Sequence, residues 1–282
     1  MINQKKQVGL SLIELLVAMV IGLFLLAGIA GSYISTKKTS TKRDQLSSVE
    51  DNGRLALEVI SNVIEHAGYL PPNLGADPNF SPFIRNPAEV LSAKCTDGTQ
   101  SIKNKSLFQA DRVVADSPLG DSLAVVNYSD NRIFTDCGGN NLPSACRLAP
   151  LGAKAKAIKP EASRIYNSFF LNKSKKQLMC AGSRSAGVEI IAEGIENIQF
   201  LYGVETGENG VKRYLNATDL AVSGLWRNVV SIQVAVLVRS LKPVKDNPES
   251  KIYTLLDQPV ITSNDRYAYD VFTTTVRLRN NN

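Results

Sequence analysis

An apolar run from Leu10 to Ile34, interrupted by a single charge at Glu14, constrains this chain more than any other feature. A short polar leader carrying Lys5 and Lys6 precedes it and ends at Gly9, and after Glu14 the next charge is Lys37. That interval can carry one helix through a hydrocarbon core of ~30 Å. A secretory signal peptide has a shorter apolar stretch of about 7–15 residues, with its small cleavage residue after it. Here the run is longer and the small residue, Gly9, comes first. A plain membrane anchor explains the length, but it leaves Glu14 as a cost of ~2.5 kcal/mol or more without a purpose.

No proline occurs before Pro71, so one helix can run from Leu10 to about Gly68. Gly22, Gly28 and Gly31 in its apolar half permit close approach of neighbouring helices. A polar middle, Ser35 to Ser48, is followed by an apolar stripe at helical spacing: Leu46, Val49, Ala56, Ile60, Val63, Ile64 and Ala67. Asp51, Arg54, Glu58 and Glu65 lie opposite, so this half is expected to lay one face on a globular domain. Gly68 suits the position just past the helix end, and Pro71-Pro72 prevents continuation. His66 falls in the last turn, where a cation suits the helix dipole.

Pro71 to about Lys105 is rich in Pro, Asn, Asp and Gly and reads as a long irregular connection. Strand signals then recur. Ser122 to Tyr128 and Arg132 to Thr135 flank a turn at Ser129-Asp130-Asn131, and Arg164 to Leu171 and Gln177 to Cys180 flank a Lys/Ser loop. Val188 to Ala192 and Ile195 to Tyr202 are further strands. Gly203 to Gly210 reads as a hairpin loop, because a phosphate loop would need a Lys-Ser/Thr ending and a following helix. Thr218 to Trp226 reads as a short helix. The clearest strand is Val230 to Val238, with Val230, Ile232, Val234, Val236 and Val238 on one face, and Tyr269 to Leu278 is the last. The class predicted is α+β: a long N-terminal helix, apolar then amphipathic, packed on a mainly antiparallel β-sheet domain.

The formal charge of +6 is scattered. Lys154, Lys156 and Lys159 lie together, as do Lys173, Lys175 and Lys176, but neither group is interleaved with aromatics as a nucleic-acid motif would be, so nucleic acid is not an expected partner. Cys95, Cys137, Cys146 and Cys180 form no C-x-x-C pair, and His66 is the one histidine, so the common zinc spacings are missing and no metal or cofactor is expected. The even cysteine count suggests two disulfides and an oxidising compartment. Three pairings are open. The turn-rich segment Gly138 to Ala145 makes Cys137–Cys146 plausible, which would leave Cys95–Cys180. A Ser/His/Asp triad would have to use His66 at the end of a packed helix. Glu189, Glu193 and Glu196 read as exposed charges, and Asp116, Asp121, Asp130 and Asp136 fit no calcium loop, so no enzyme is expected.

The order Gly9-Leu10-Ser11-Leu12-Ile13-Glu14 resembles the N-terminus of type IV prepilins. The resemblance implies that a prepilin peptidase cuts after Gly9 and methylates Leu10, and that Glu14 takes part in docking the subunit into a growing fibre. Three further stretches resemble the PilW family of minor pilins. They are Glu50-Asp51-Asn52-Gly53-Arg54-Leu55-Ala56-Leu57-Glu58, ending in Ala67-Gly68-Tyr69; Glu193-Gly194-Ile195-Glu196-Asn197-Ile198-Gln199-Phe200 with Tyr202-Gly203-Val204; and the tail Val271 to Asn280. Carried through, the resemblance divides the chain into a leader 1–9, an assembly and membrane half 10–34, an amphipathic half 35–68 and a periplasmic β-rich domain 69–282. It implies a minor pilin that helps initiate type IV pilus assembly, is incorporated at low abundance and sits near the tip. The partners implied are other minor pilins, the major pilin, an inner-membrane assembly platform and, before assembly, the lipid bilayer. A minor pseudopilin of type II secretion and a tip adhesin are the rival readings. Lys37, Lys38, Lys42 and Arg43 follow the span closely, and Lys/Arg counting would keep that side in the cytoplasm. The prepilin-like leader and the cysteines place it in the periplasm instead.

Overall fold

The computed structural model describes residues 11–74, 80–148, 159–205 and 211–280. The chain divides into two compact units, Met1–Leu46 and Ser47–Asn282. One helix, α1 (Leu12–His66), contributes to both. In the first unit it carries a bare apolar surface: Leu12, Phe24, Ile29 and Tyr33 are each about two-thirds or more exposed. That surface is long and apolar enough to cross a membrane and, among the described residues, is not buried within the chain.

In the second unit α1 buries Val49, Gly53, Ala56, Ile60 and Ile64, recurring every three or four residues as a packed helix face requires. The helix ends as its sequence suggests. Gly68 has φ +77°, a conformation that favours glycine. Its N–H donates to the Val126 carbonyl at 2.9 Å, so the helix end is tied to the sheet. The Glu65 carbonyl, one of those without an intrahelical partner, accepts from Asn280 Nδ2 at 3.2 Å.

Among the described residues ten strands follow, in two four-stranded antiparallel sheets and a hairpin. The first sheet joins β1 (Leu123–Tyr128), β2 (Arg164–Asn172), β3 (Gln177–Gly182) and β4 (Glu189–Glu193) in that order. The second contains β5 (Ile195–Glu205), β6 (Val211–Leu215), β7 (Val229–Arg239) and β10 (Tyr269–Arg277), in the order β10-β7-β5-β6. The pair β8 (Glu249–Tyr253) and β9 (Ile261–Asp265) forms the hairpin. A short helix α2 (Ala217–Ser223) is capped by Asn216, whose side chain accepts from Asp219 N–H.

The sequence therefore indicated an α+β class correctly, but two sheets replace the one that was expected. Arg132 to Thr135 is not a strand. Asp130 Oδ1 accepts from the N–H groups of Arg132 and Ile133, which holds those residues in a turn, and β1 takes β2 as its partner instead. The pair β8–β9 escaped the sequence reading, and its role is to cover the second face of β7. Val234, Val236 and Val238 enter the main core, while Ala235 and Leu237 pack with Leu255 in a separate cluster. The irregular stretch after Pro71 is not idle, since Phe83 bridges to Val125 and closes the free edge of β1.

One core binds α1 and both sheets. Within it Phe83, Tyr202 and Trp226 pack pairwise in edge-on or tilted contacts, with ring centroids 5.3–5.5 Å apart. At Gly53 of α1 an added Cβ would fall on the Phe272 ring of β10, 2.7 Å from its Cγ. Gly53→Ala is therefore expected to destabilise the protein by about 1 kcal/mol or more through overpacking. In a Phe272→Ala background the sign should reverse, because alanine is the better helix former by about 1 kcal/mol. Chemical denaturation of the four proteins in this cycle reads both effects; a Gly53→Ala effect of the same sign in both backgrounds refutes the contact.

Candidate functional site

Gly9 and Leu10 lie outside the described residues. Glu14 sits in the first turn of α1, and its Oε2 accepts from Ser11 N–H at 2.9 Å. Ser11-x-x-Glu14 is half of a capping box, a pattern visible in the sequence but overlooked there. Oε1 has no hydrogen-bond partner among the described residues. The carboxylate is thus aimed at the helix start with one oxygen to spare.

In the second unit the stretches that carry the family resemblance meet. Asn52 Oδ1 accepts from Glu193 N–H at 2.8 Å, joining α1 to the end of β4. Gly53 receives the Phe272 ring of the tail. Arg279 pairs with Glu65 at 2.7 Å, beside the Asn280 contact to the same turn of helix. The Glu193 to Phe200 stretch is pinned residue by residue. Gly194 C=O accepts from Arg239 N–H at 2.7 Å, and Glu196 takes Lys176 at 2.6 Å and Arg239 at 3.7 Å. Asn197 and Gln199 donate to the carbonyls of Pro118 and Ser117 at 3.1 and 3.0 Å. These residues hold the helix and the two sheets in register.

Asp121 joins the sheets. It lies at the start of β1 and is buried, and its carboxylate accepts from Ser117 N–H at 2.7 Å and from Phe200 N–H on β5 at 3.0 Å. Burial pushes its pKa up to about 7, against the pull of those two N–H groups, with Asp116 and Asp257 adding to the rise. No sequence signal marked Asp121 apart from its neighbours. Asp116 instead caps α2, accepting from the N–H groups of Ala217 and Thr218.

All four cysteines are bridged, as Cys95–Cys146 and Cys137–Cys180. This corrects the local pairing Cys137–Cys146. The loop that begins beside Cys137 closes early, where Thr135 bridges Asn141. Buried Asp136 gathers the N–H groups of Gly138, Asn140 and Arg184, and Cys137 N–H donates to Asn167 Oδ1 at 2.8 Å. Cys137 is thereby seated over β2 and β3, next to Cys180. Cys146 is held elsewhere, because the Ala145 carbonyl accepts both the N–H and the hydroxyl of Thr96, at 3.1 Å each.

Glu189, Glu193 and Glu196 do not converge on one point, and no acidic, histidine or cysteine group that could hold a metal exists among the described residues. His66 is exposed at the helix end. Of the basic groups, Lys154 and Lys156 lie outside the described residues, and Lys176 is engaged by Glu196.

Residues 4–30 match the prokaryotic N-terminal methylation motif. Residues 168–280 match the family described as Type IV Pilus-assembly protein W. No curated protein matches the chain by sequence. Among solved structures, a type IV-like pilin from Thermus thermophilus is similar with a TM-score of 0.38 and 12% identity, over 84% of this chain and 95% of that one. The methylation motif is followed by one long helix with an apolar first half and then by antiparallel sheets. The chain is thus similar to prepilins in its N-terminal motif and to the PilW family over residues 168–280.

Non-reducing peptide mapping should recover the pairs Cys95–Cys146 and Cys137–Cys180, and removal of either should cost about 2–4 kcal/mol. Recovery of a Cys137–Cys146 peptide would reject this arrangement. Asp121 makes stability depend on pH. Its folded pKa lies above its ordinary value, so its contribution is fully present below about pH 4 and is lost as pH rises through about 7. Asp121→Asn, which mimics the protonated form, should flatten that part of the pH profile in denaturation titrations; an unchanged slope between the two limits rejects it.

Proposed function

We propose that this protein is a minor pilin that helps initiate type IV pilus assembly and is incorporated at low abundance, near the fibre tip. The observation that carries the reading is the joining of a prepilin-type leader, with Glu14 at the start of its helix, to a PilW-type domain. Residues 1–9 act as a leader removed by prepilin peptidase, 10–34 as the membrane and assembly half, 35–68 as the amphipathic half, and 69–282 as the globular domain. The domain lies in the periplasm, a placement supported by the two disulfides, which persist in oxidising compartments. Before assembly the apolar half of α1 is dissolved in the inner membrane. On assembly it exchanges lipid for a bundle of like helices with other minor pilins and the major pilin, delivered by the assembly platform, so its apolar surface stays out of water.

Glu14 provides the register. Cleavage after Gly9 leaves an amine on Leu10, and the spare Oε1 of Glu14 can pair with the corresponding amine of a neighbour. An unpaired carboxylate in lipid costs ~2.5 kcal/mol or more, so the correct axial position is rewarded. Mass spectrometry of the mature chain should find N-methylated Leu10 at the start. Glu14→Ala and Glu14→Gln should leave that cleavage intact while lowering recovery of partner pilins and the pilus count. An N-terminus at Met1 in peptidase-competent cells, or unchanged recovery with both variants, overturns the reading. Loss of exoprotein release with pili intact would assign the chain to type II secretion instead.

A further inference from the structure

Lys37, Lys38, Lys42 and Arg43 oppose the proposed orientation, and nothing above gives them a role. All four are exposed on α1. Among the described residues none of them pairs with a carboxylate. One carboxylate, Asp44, stands among them in the stretch from Ser35 to Leu46. Lys38 and Lys42 are one helical turn apart, a like-charge spacing that weakens a helix in water. Of the nearby hydroxyls, Thr39 and Thr41 donate back to the carbonyls of Ser35 and Lys37 at 3.0 Å and are engaged within the helix. The stretch therefore presents four cations against one carboxylate.

Its depth is set by the span. From Glu14 to Lys37 the helix rises about 35 Å at 1.5 Å per residue. A hydrocarbon core of ~30 Å ends just short of that. The first cation thus meets the layer of headgroup phosphates, and Arg43 lies about two turns further out. We propose that Lys37, Lys38, Lys42 and Arg43 form a docking band for anionic phospholipid headgroups of the far leaflet, which holds the unassembled subunit at a fixed depth. This rests on the membrane-spanning reading given above. Phosphate oxygens accept from ammonium and guanidinium groups, and the guanidinium can bind two at once. Anionic headgroups also relieve the Lys38–Lys42 repulsion, and the attraction fades within a Debye length, so it acts on lipids at the band itself.

The full-length chain, reconstituted in phosphatidylcholine vesicles with a trace of spin-labelled phosphatidylglycerol or spin-labelled phosphatidylcholine, tests this by the fraction of each label it immobilises. The expected preference for phosphatidylglycerol is about fivefold at low salt. It should fall towards parity in the Lys37→Gln/Lys38→Gln/Lys42→Gln/Arg43→Gln variant, and survive in a Lys5→Gln/Lys6→Gln variant that removes the leader's charges. An unchanged preference in the fourfold variant overturns the proposal, as does its loss in the leader variant. The same variant losing co-purified pilus subunits while keeping its lipid preference assigns the band to protein contacts, which also overturns it. Flotation with plain phosphatidylcholine vesicles reads the span separately. A chain that fails to float refutes the span, whereas one that floats without lipid preference refutes the band alone.

Discussion

The globular unit depends on how closely a helix can approach a sheet. Gly53 leaves a gap in the buried face of α1, and the Phe272 ring of β10 fills it. Around that contact Asn52 reaches the end of β4, Glu65 takes Arg279, and Gly68 donates its N–H to β1. A helix face that is apolar all along its length could slide or rotate on a sheet at modest cost. A glycine that accepts one ring, flanked by directional polar contacts, has a single register.

The two sheets are held by different means. Their shared apolar core supplies the bulk of the burial, and the turn at Ser117–Asp121 supplies direction through Asp121, Asn197 and Gln199. The disulfides then tie long irregular segments that a small apolar cluster could not order alone. Cys95 and Cys146 sit with Leu142, Ala162 and Ile165 in a cluster apart from the main core. Closing these loops covalently removes chain entropy that the few apolar contacts there would otherwise have to offset.

Much was legible in the sequence because it depends on neighbours along the chain. The long helix, the stripe from Val49 to Ile64, the stop at Gly68 and most strands of both sheets follow from period and punctuation. Arg132 to Thr135 misled because its residues favour a strand, while Asp130 captured its N–H groups locally. The pair β8–β9 was missed because its strands are short and largely exposed, leaving little alternation to detect.

By itself the sequence determined the helix, its apolar and amphipathic halves, the α+β class and the family motifs, since these rest on local order and spacing. The tertiary structure decided why those motifs exist. Asn52, Gly53, Glu193 and Phe272 are far apart in the chain, and only the fold shows them as one clamp. It also decided the disulfide pairs and the buried state of Asp121, because which cysteines meet, and which carboxylate loses its water, depends on packing between segments that carry no mark of each other in sequence.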